Sequence, residues 1–370
     1  MRNTWKQLLA VLALSFTSNV QATDPNNDWV SIVVPSFDGP EPLSQIVSTI
    51  LYIDIWRTLR KEPTPNPKKL SFGNGSAYWQ PERLASQSHV EAEKLLTGTG
   101  SWGAQMCFWG AAWEYGDGVV VQPYLSVIDN PFDGRKTRPE RWKVTVDVHD
   151  DKVLFEVGLP VTRCNFSPIT LPKEFVAQQS TAIGLQLYED RKLTKVIGTM
   201  DNDFEASRHE GDRAQVTSHG RSGWIRIPRL PRPKSEATNF TSAVIKVMRG
   251  DWEEAIQLLT LVVTNPETPR SLLIDSHLLL ALSSEKQGQS GLKHIEAADA
   301  LNPHLQGTIR YQIMEYLTQY AKSNNKKVKA TILNKIQATV NERKYLFPAD
   351  DEWISKVTVT LRKLSEANDP

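Results

Sequence analysis

Apolar and polar positions follow two different periods along this chain, and the change falls near residue 230. Upstream, WVSIVVPSF (29–37) is a continuous apolar, β-branched run that predicts a buried strand, ended by Pro35 and the turn Asp38-Gly39-Pro40. Leu43, Ile46, Val47, Ile50, Leu51, Ile55 and Leu59 then recur at helical spacing with a broad apolar face, until Pro63, Pro65 and Pro67 stop the helix. SFGNGSAYWQPERL (71–84) reads as loop or irregular strand, and a second helix fits His89 to Leu96. QMCFWGAAWEY and VVVQPYLSVID flank Gly116-Asp117-Gly118, a strong hairpin signal. WKVTVDVH and KVLFEVG predict two more strands around His149-Asp150-Asp151, and short runs between 184 and 231 predict a small all-β barrel. Beyond the proline-punctuated stretch Pro228, Pro231 and Pro233, strand signals give way to long helical periodicity.

The helical half contains a repeat. Gly250-Asp251-Trp252-Glu253-Glu254-Ala255 is followed by Pro266, and Gly288, Ala298 and Asn302-Pro303 follow in the same order, with Gly-to-Gly spacing of 38 and Pro-to-Pro spacing of 37. This resembles tetratricopeptide repeats, in which a glycine turn opens the second helix, a small residue lets it pack closely and a proline ends the pair. Two copies are fewer than a free-standing array needs, so the helices after residue 308 must complete the core. In the barrel region, VIGTM, GDRAQV and GRSGWIRIP resemble bacterial SH3 domains, with Gly223 and Trp224 carrying the match at the closing strand; the family's usual first-strand sequence is replaced by Leu185-Gln186-Leu187-Tyr188. VVPSF, QMCFWG and YGDGVVV resemble the α/β N-terminal domain of the TolB and CsgG-like families, which implies a docking domain of envelope machinery.

These readings give a multidomain α/β, all-β and all-α chain. Its parts are a leader over 1–22, an α/β domain over 23–135, a β-rich connection over 136–183, an SH3-like barrel over 184–231 and a repeat-like helical domain over 232–370. The proline stretch predicts that the helical domain stands apart from what precedes it, leaving an inner concave surface free for a protein partner. Trp224, Gly223, Gly250, Ala255, Pro266, Ala298 and Pro303 are the expected structural positions.

Composition adds an address and removes several chemistries. Arg2 and Lys6 precede an apolar run from Leu8 to Phe16, and Val20-Gln21-Ala22 suits cleavage, so the mature chain is expected to be exported, periplasmic or secreted, with no membrane-spanning segment. The 43 basic and 42 acidic residues become 41 and 42 without the leader, which removes the global electrostatic case for nucleic acid. Two cysteines exclude thiolate-rich metal centres. Cys107 and Cys164 either pair as a disulfide in an oxidising compartment or remain two buried thiols. No nucleotide, hydrolase or kinase motif occurs in its required context, and the histidines at 89, 149, 209, 219, 277, 294 and 304 lack metal-ligand spacing. Neither a cofactor nor an enzymatic activity is therefore expected.

Three features remain as binding candidates. Trp109 and Trp113 share one face of a strand, with Trp102 nearby, either as core or as an aromatic platform. One basic stretch holds Arg213, Arg221, Arg226, Arg229 and Arg232; the other holds Lys326, Lys327 and Lys329, then Lys335 and Arg343. Each is either a solvated face or a contact for an anionic envelope polymer, lipid or acidic partner. The expected function is a non-enzymatic scaffold for protein partners, with peptidoglycan recognition by the SH3-like part or an unrecognised enzyme site as the alternatives.

Overall fold

The computed structural model describes residues 30–59, 75–97, 104–128, 141–180, 186–199, 205–210, 213–218, 220–226 and 235–368. The leader, Trp102, His219, Arg229, Arg232 and the proline stretch lie outside the described residues.

The first unit is a mixed sheet. Strands β1 (Val30–Ser36), β2 (Gly75–Arg83), β3 (Met106–Tyr115), β4 (Gly118–Val127), β7 (Arg163–Asn165) and β8 (Ile169–Pro172) are ordered β2-β1-β3-β4-β7, with β8 beside β4. β1 runs parallel to both β2 and β3, and the remaining pairs are antiparallel. The segment expected to be loop or irregular strand thus contains a full parallel strand. Helix α1 (Leu43–Leu59) links β1 to β2, and α2 (His89–Thr97) links β2 to β3. The β3–β4 hairpin closes on Gly116-Asp117, where Gly116 supplies the positive φ of +56° that a tight hairpin turn requires.

Strand alternation divides the core between the two faces of this sheet. Ile32, Val34, Met106 and Phe108 pack with α1, whereas Val33, Cys107 and Trp109 pack with Ala92 and Leu96 of α2. The broad apolar face of α1 has a simple cause: Leu43, Ile46, Val47, Ile50, Leu51, Tyr52 and Ile55 are all buried because the helix has partners on two sides. One side meets β1 and β3, and the other meets α4 (Glu236–Met248) of the helical half. Every residue of α4 is buried in turn.

The helical half runs α4, α5 (Trp252–Val263), α6 (Arg270–Lys286), α7 (Leu292–Leu301), α8 (Gln306–Lys322), α9 (Lys326–Arg343) and α10 (Glu352–Asn368), each packed on the next. Two helices end alike. Gly250 and Gly288, at φ +75° and +76°, each sit one residue past the C-cap of a helix. The Asp251 and Gln289 amides reach back to the Lys246 and Ser284 carbonyls at 2.9 Å, and the glycine amides to Val247 and Glu285 at 3.0 and 2.8 Å. This is the same Schellman closure 38 positions apart in the sequence. Ala255 and Ala298 are both fully buried, and Pro266 and Pro303 lie just past the ends of α5 and α7. Gly291 adds a close approach of its own: a Cβ there would sit 2.8 Å from the Ala281 carbonyl oxygen, so glycine permits the close crossing of α6 and α7.

The connecting segment is a two-stranded hairpin, β5 (Trp142–Val148) and β6 (Asp151–Val157), with Trp142, Val144, Val146 and Val148 buried and the intervening residues exposed. It is seated on the helices. Trp142 donates Nε1–H to Thr318 Oγ1 at 3.1 Å and meets Tyr311 edge-on at 5.5 Å; Tyr311 Oη donates to the Gly158 carbonyl at 3.1 Å. Trp353 Nε1 donates to the Glu156 carbonyl at 3.1 Å. Together α4 against α1, α6 against β7 and α8 against β5 and β6 turn the first helix of each pair toward the chain's own N-terminal part. The inner surface expected to await a partner is therefore occupied from within, and one hydrophobic core runs from Val30 to Leu364. The separation that the proline stretch predicted is absent from the packing.

Helix α3 (Lys173–Ser180) packs on α1, β4 and β8 of the first unit, and the small β unit after it comprises β9 (Gln186–Tyr188), β10 (Val196–Thr199), β11 (Glu205–Glu210), β12 (Arg213–Ser218) and β13 (Arg221–Arg226). Its sheet order is β10-β9-β13-β12-β11. First and last strands pair through Tyr188 and Trp224, but among the described residues β10 and β11 remain edges, so the expected closed barrel is an open sheet one pairing short of closure. Gly223 lets β13 approach β9: a Cβ there would lie 2.6 Å from Leu187 Cγ and 2.7 Å from the Tyr188 carbonyl oxygen. Trp224 is 8% exposed, consistent with a packing role.

Two stability outcomes follow from this packing. Trp142→Ala should cost about 3–5 kcal/mol, and hydrogen exchange should show β3, β4 and α6 losing protection together; loss confined to the helices would contradict the shared core. Gly223→Ala should cost about 1–3 kcal/mol, read as faster exchange in β9 and β13 with β3 and β4 unaffected.

Candidate functional site

The described residues gather chemistry-bearing side chains in three places, of which the first is the α2 face of the mixed sheet. Trp109 stacks on Tyr124 with centroids 4.4 Å apart, and the His89 ring meets both edge-on. His89 Nδ1 lies 2.8 Å from Ser126 Oγ, its Nε2 lies 3.1 Å from Asn165 Oδ1, and Trp109 Nε1 donates to Ser126 Oγ at 3.0 Å. The directions close when His89 carries its proton on Nε2: Trp109 donates to Ser126, Ser126 to His89, and His89 to Asn165. A serine hydroxyl on a histidine that is itself oriented by an amide has the connectivity of a nucleophile and base. Ser126 is nevertheless 0% exposed and its oxygen already accepts the indole N–H, so this chain of bonds satisfies buried polar groups and presents no attacking oxygen to solvent.

At the rim of this network, Arg163 bonds Glu93 bidentately at 2.7 and 2.9 Å and holds its carboxyl below the usual range. Trp109, at 3% exposure, is core, whereas Trp113 at 42% is partly open on the same face of β3. The indole stripe thus divides into a buried and an exposed half.

The two cysteines lie on opposite faces of the sheet and are free. Cys107 packs beneath α2, while Cys164, paired with Leu125, belongs to the core on the helical side. Of the two alternatives the structure has the pair of separate buried thiols, with a sheet standing between them. Burial alone pushes the Cys107 thiol far up; burial and then the nearby Asp275 carboxylate do the same for Cys164.

Asp275 marks the second place, where α6 meets β7. Burial raises its carboxyl to about 7. On the same helix, His277 Nδ1 lies 3.4 Å from His294 Nδ1 of α7. Burial lowers both imidazoles; His294, lowered also by Lys293 and His277, falls to about 4. Among the described residues no three His, Cys, Asp or Glu side chains converge as a metal site.

The third place is basic, and it divides. Arg213 is partly buried and donates to the Arg191 carbonyl at 2.8 Å, while Arg221 and Arg226 are exposed on β13. Lys326 and Lys327 are exposed on α9, and Lys329 lies over the Tyr320 ring at 4.8 Å. The two stretches occupy different elements, the small sheet and the outer helix. No helix among the described residues is long and apolar enough to cross a membrane.

Sequence spacing missed the His89–Ser126–Asn165 chain because its members come from α2, β4 and β7, whose adjacency depends on sheet order. It missed the His277–His294 pair because the register between α6 and α7 depends on the turn ending at Gly291. Comparison with protein-family models, curated proteins and solved structures returns no match.

The Asp275 carboxyl gives a pH-dependent outcome with a definite sign. Its folded value, about 7, exceeds the ordinary 3.8, so the folded chain holds a proton that the unfolded chain releases. That contribution is complete in acid and is lost as pH rises through the folded value. Asp275→Asn should therefore stabilise the protein by about 2–4 kcal/mol at pH 8 and leave it unchanged at pH 4, as read by denaturant unfolding at each pH.

Proposed function

We propose that this chain is a non-enzymatic, exported adaptor that holds protein partners. The observation carrying this reading is the helical half: successive antiparallel helices, two of them ended by the same Schellman closure, stack as repeat arrays do, and such arrays recognise proteins through extended surfaces. The resemblance of its repeated elements to tetratricopeptide repeats supports the same reading. Because α4, α6 and α8 face the N-terminal sheet and the β5–β6 hairpin, the recognition surface is the outer one, presented by α5, α7 and α9. Leu261, 40% exposed on α5, contributes apolar area to that surface. The fully buried Ser126 supports the non-enzymatic part, since the nearest approach to a catalytic constellation has no access for a substrate.

A second reading, peptidoglycan recognition by the SH3-like unit, is favoured by one observation. That observation is the likeness of Gly223 and Trp224 at the closing strand to bacterial SH3 domains, while Leu187, Ala214, Val216 and Ile225 tie the sheet into the shared core. Retention of residues 180–232 on purified sacculi would favour this reading over the adaptor.

The adaptor reading is tested by a photo-crosslinking residue at Leu261 or Ala338 in the full chain. The expected outcome is a discrete adduct from either position in living cells and none from Asp147 on the hairpin. Adducts from none of the three would remove the outer helices as a partner surface.

A further inference from the structure

Helices α6 and α7 aim two imidazoles at each other. His277 Nδ1 and His294 Nδ1 are 3.4 Å apart, and the ring centroids are 5.7 Å apart. The nitrogens are closer than the centroids by the full radius of both rings, so the two Nδ1 atoms face each other along one line. A proton between them would make a long bond, because an N–H donor ordinarily sits about 2.7–3.2 Å from its acceptor. Neither Nε2 has a protein partner among the described residues, and both rings are only partly buried. Each Nε2 can therefore keep its proton and donate it to water, which leaves both Nδ1 lone pairs turned inward. The backbone beneath the rings is fixed at both ends of the crossing. Gly291 brings α7 close to Ala281 at one end, and the Arg270 guanidinium donates to the Leu301 carbonyl at the other. Ile274 and Leu278 of α6 and Ile295 and Ala298 of α7 are buried alongside.

We infer that His277 and His294 hold one cuprous ion, as a linear two-coordinate site bridging α6 and α7. The number of donors selects the ion first. No third His, Cys, Asp or Glu joins the pair among the described residues, and Asp275, two positions before His277, lies on the opposite side of α6 near Cys164. Zinc takes four ligands at tetrahedral angles and calcium or magnesium takes six or more oxygens, whereas Cu(I) is satisfied by two donors. Direction selects next: collinear lone pairs suit a linear ion, while a tetrahedral ion needs them to converge at an angle. Imidazole is an ordinary copper ligand. Charge agrees, since the ammonium of Lys293 lies beside His294 and opposes a divalent ion more than a monovalent one. Seating the ion requires the rings to part by a few tenths of an ångström, which partly buried side chains allow. The site goes beyond the adaptor reading and does not depend on it, because the ion sits between α6 and α7 whether or not a partner covers the outer helices.

The test presents Cu(I) held by the chelator bicinchoninate to the full chain, under argon at about pH 7.5, where ordinary imidazole is neutral. The chain should withdraw one Cu(I) from the chelator, and X-ray absorption should show two nitrogen neighbours and no sulfur. His277→Ala and His294→Ala should each weaken uptake by more than the about 10–100-fold that loss of an outer-shell partner costs. Circular dichroism of each variant checks that it is folded, and His277→Gln and His294→Gln, closer in size, replace any alanine variant that is not. His304→Ala, exposed beyond the end of α7, should leave uptake unchanged. Uptake no greater than that of the double His277→Gln, His294→Gln variant would overturn the site and leave the pair as a proton-sharing contact only. Sulfur neighbours would move the ion to the cysteines, and displacement of Cu(I) by an equal concentration of Zn(II) would make the site a divalent one; either result overturns the assignment.

Discussion

Helix α1 is buried on two sides, and most of the architecture follows from that. A helix following a strand in an α/β unit normally covers the sheet with one stripe and shows the other to water. Here Ile46, Val47, Ile50, Leu51 and Ile55 are buried together with Ser44, Ser48 and Asp54, and the helix has a second cover. The cover is α4, and because α4 is itself buried throughout, the rest of the helical half must wrap around it. Glu236, at the start of α4, accepts the Ser167 amide at 2.7 Å, and Phe240 packs on Phe166. The joint is thus fixed by a charge-assisted bond as well as by apolar area.

The same joint changes what a repeat-like array can do. In a free solenoid the first helices of successive pairs line a groove. Here they hold β7 and the β5–β6 hairpin, with Trp142 reaching Thr318 across 176 positions of sequence. The hairpin has the role a bound peptide would have, supplied permanently by the chain. Glu315 adds a tie within the array: this buried carboxylate accepts Ser290 Oγ at 2.6 Å and the Gly291 amide at 3.3 Å, placing negative charge at the start of α7.

How much of this was legible in the sequence depends on the range of the interaction. The β3–β4 hairpin could be read because Gly116-Asp117 is a local turn, and Gly250 and Gly288 because a helix end is closed by its own last turn. The double burial of α1 was visible as a wide apolar face, though the identity of its second partner was not. Strand β2 was read as loop or irregular strand because it begins at a glycine and carries no clean alternation, its pairing to β1 being a property of sheet order. The thiols were left unresolved for the same reason: only the placement of β7 against β4 puts Cys164 on the face away from Cys107. Closure of the barrel was not legible because it depends on sheet order, which leaves β10 and β11 at opposite edges among the described residues.

The order of synthesis gives the two-sided helix a temporal cost. α1 ends at Leu59 and its second cover begins at Glu236, so 176 residues lie between them. At the usual pace of translation that interval lasts about 10–35 s, during which the face destined for α4 has no native partner. The N-terminal sheet can form in that time, but it then presents an apolar helix to the crowded surroundings of a nascent chain. Truncation anywhere before α4 would make that passing exposure permanent.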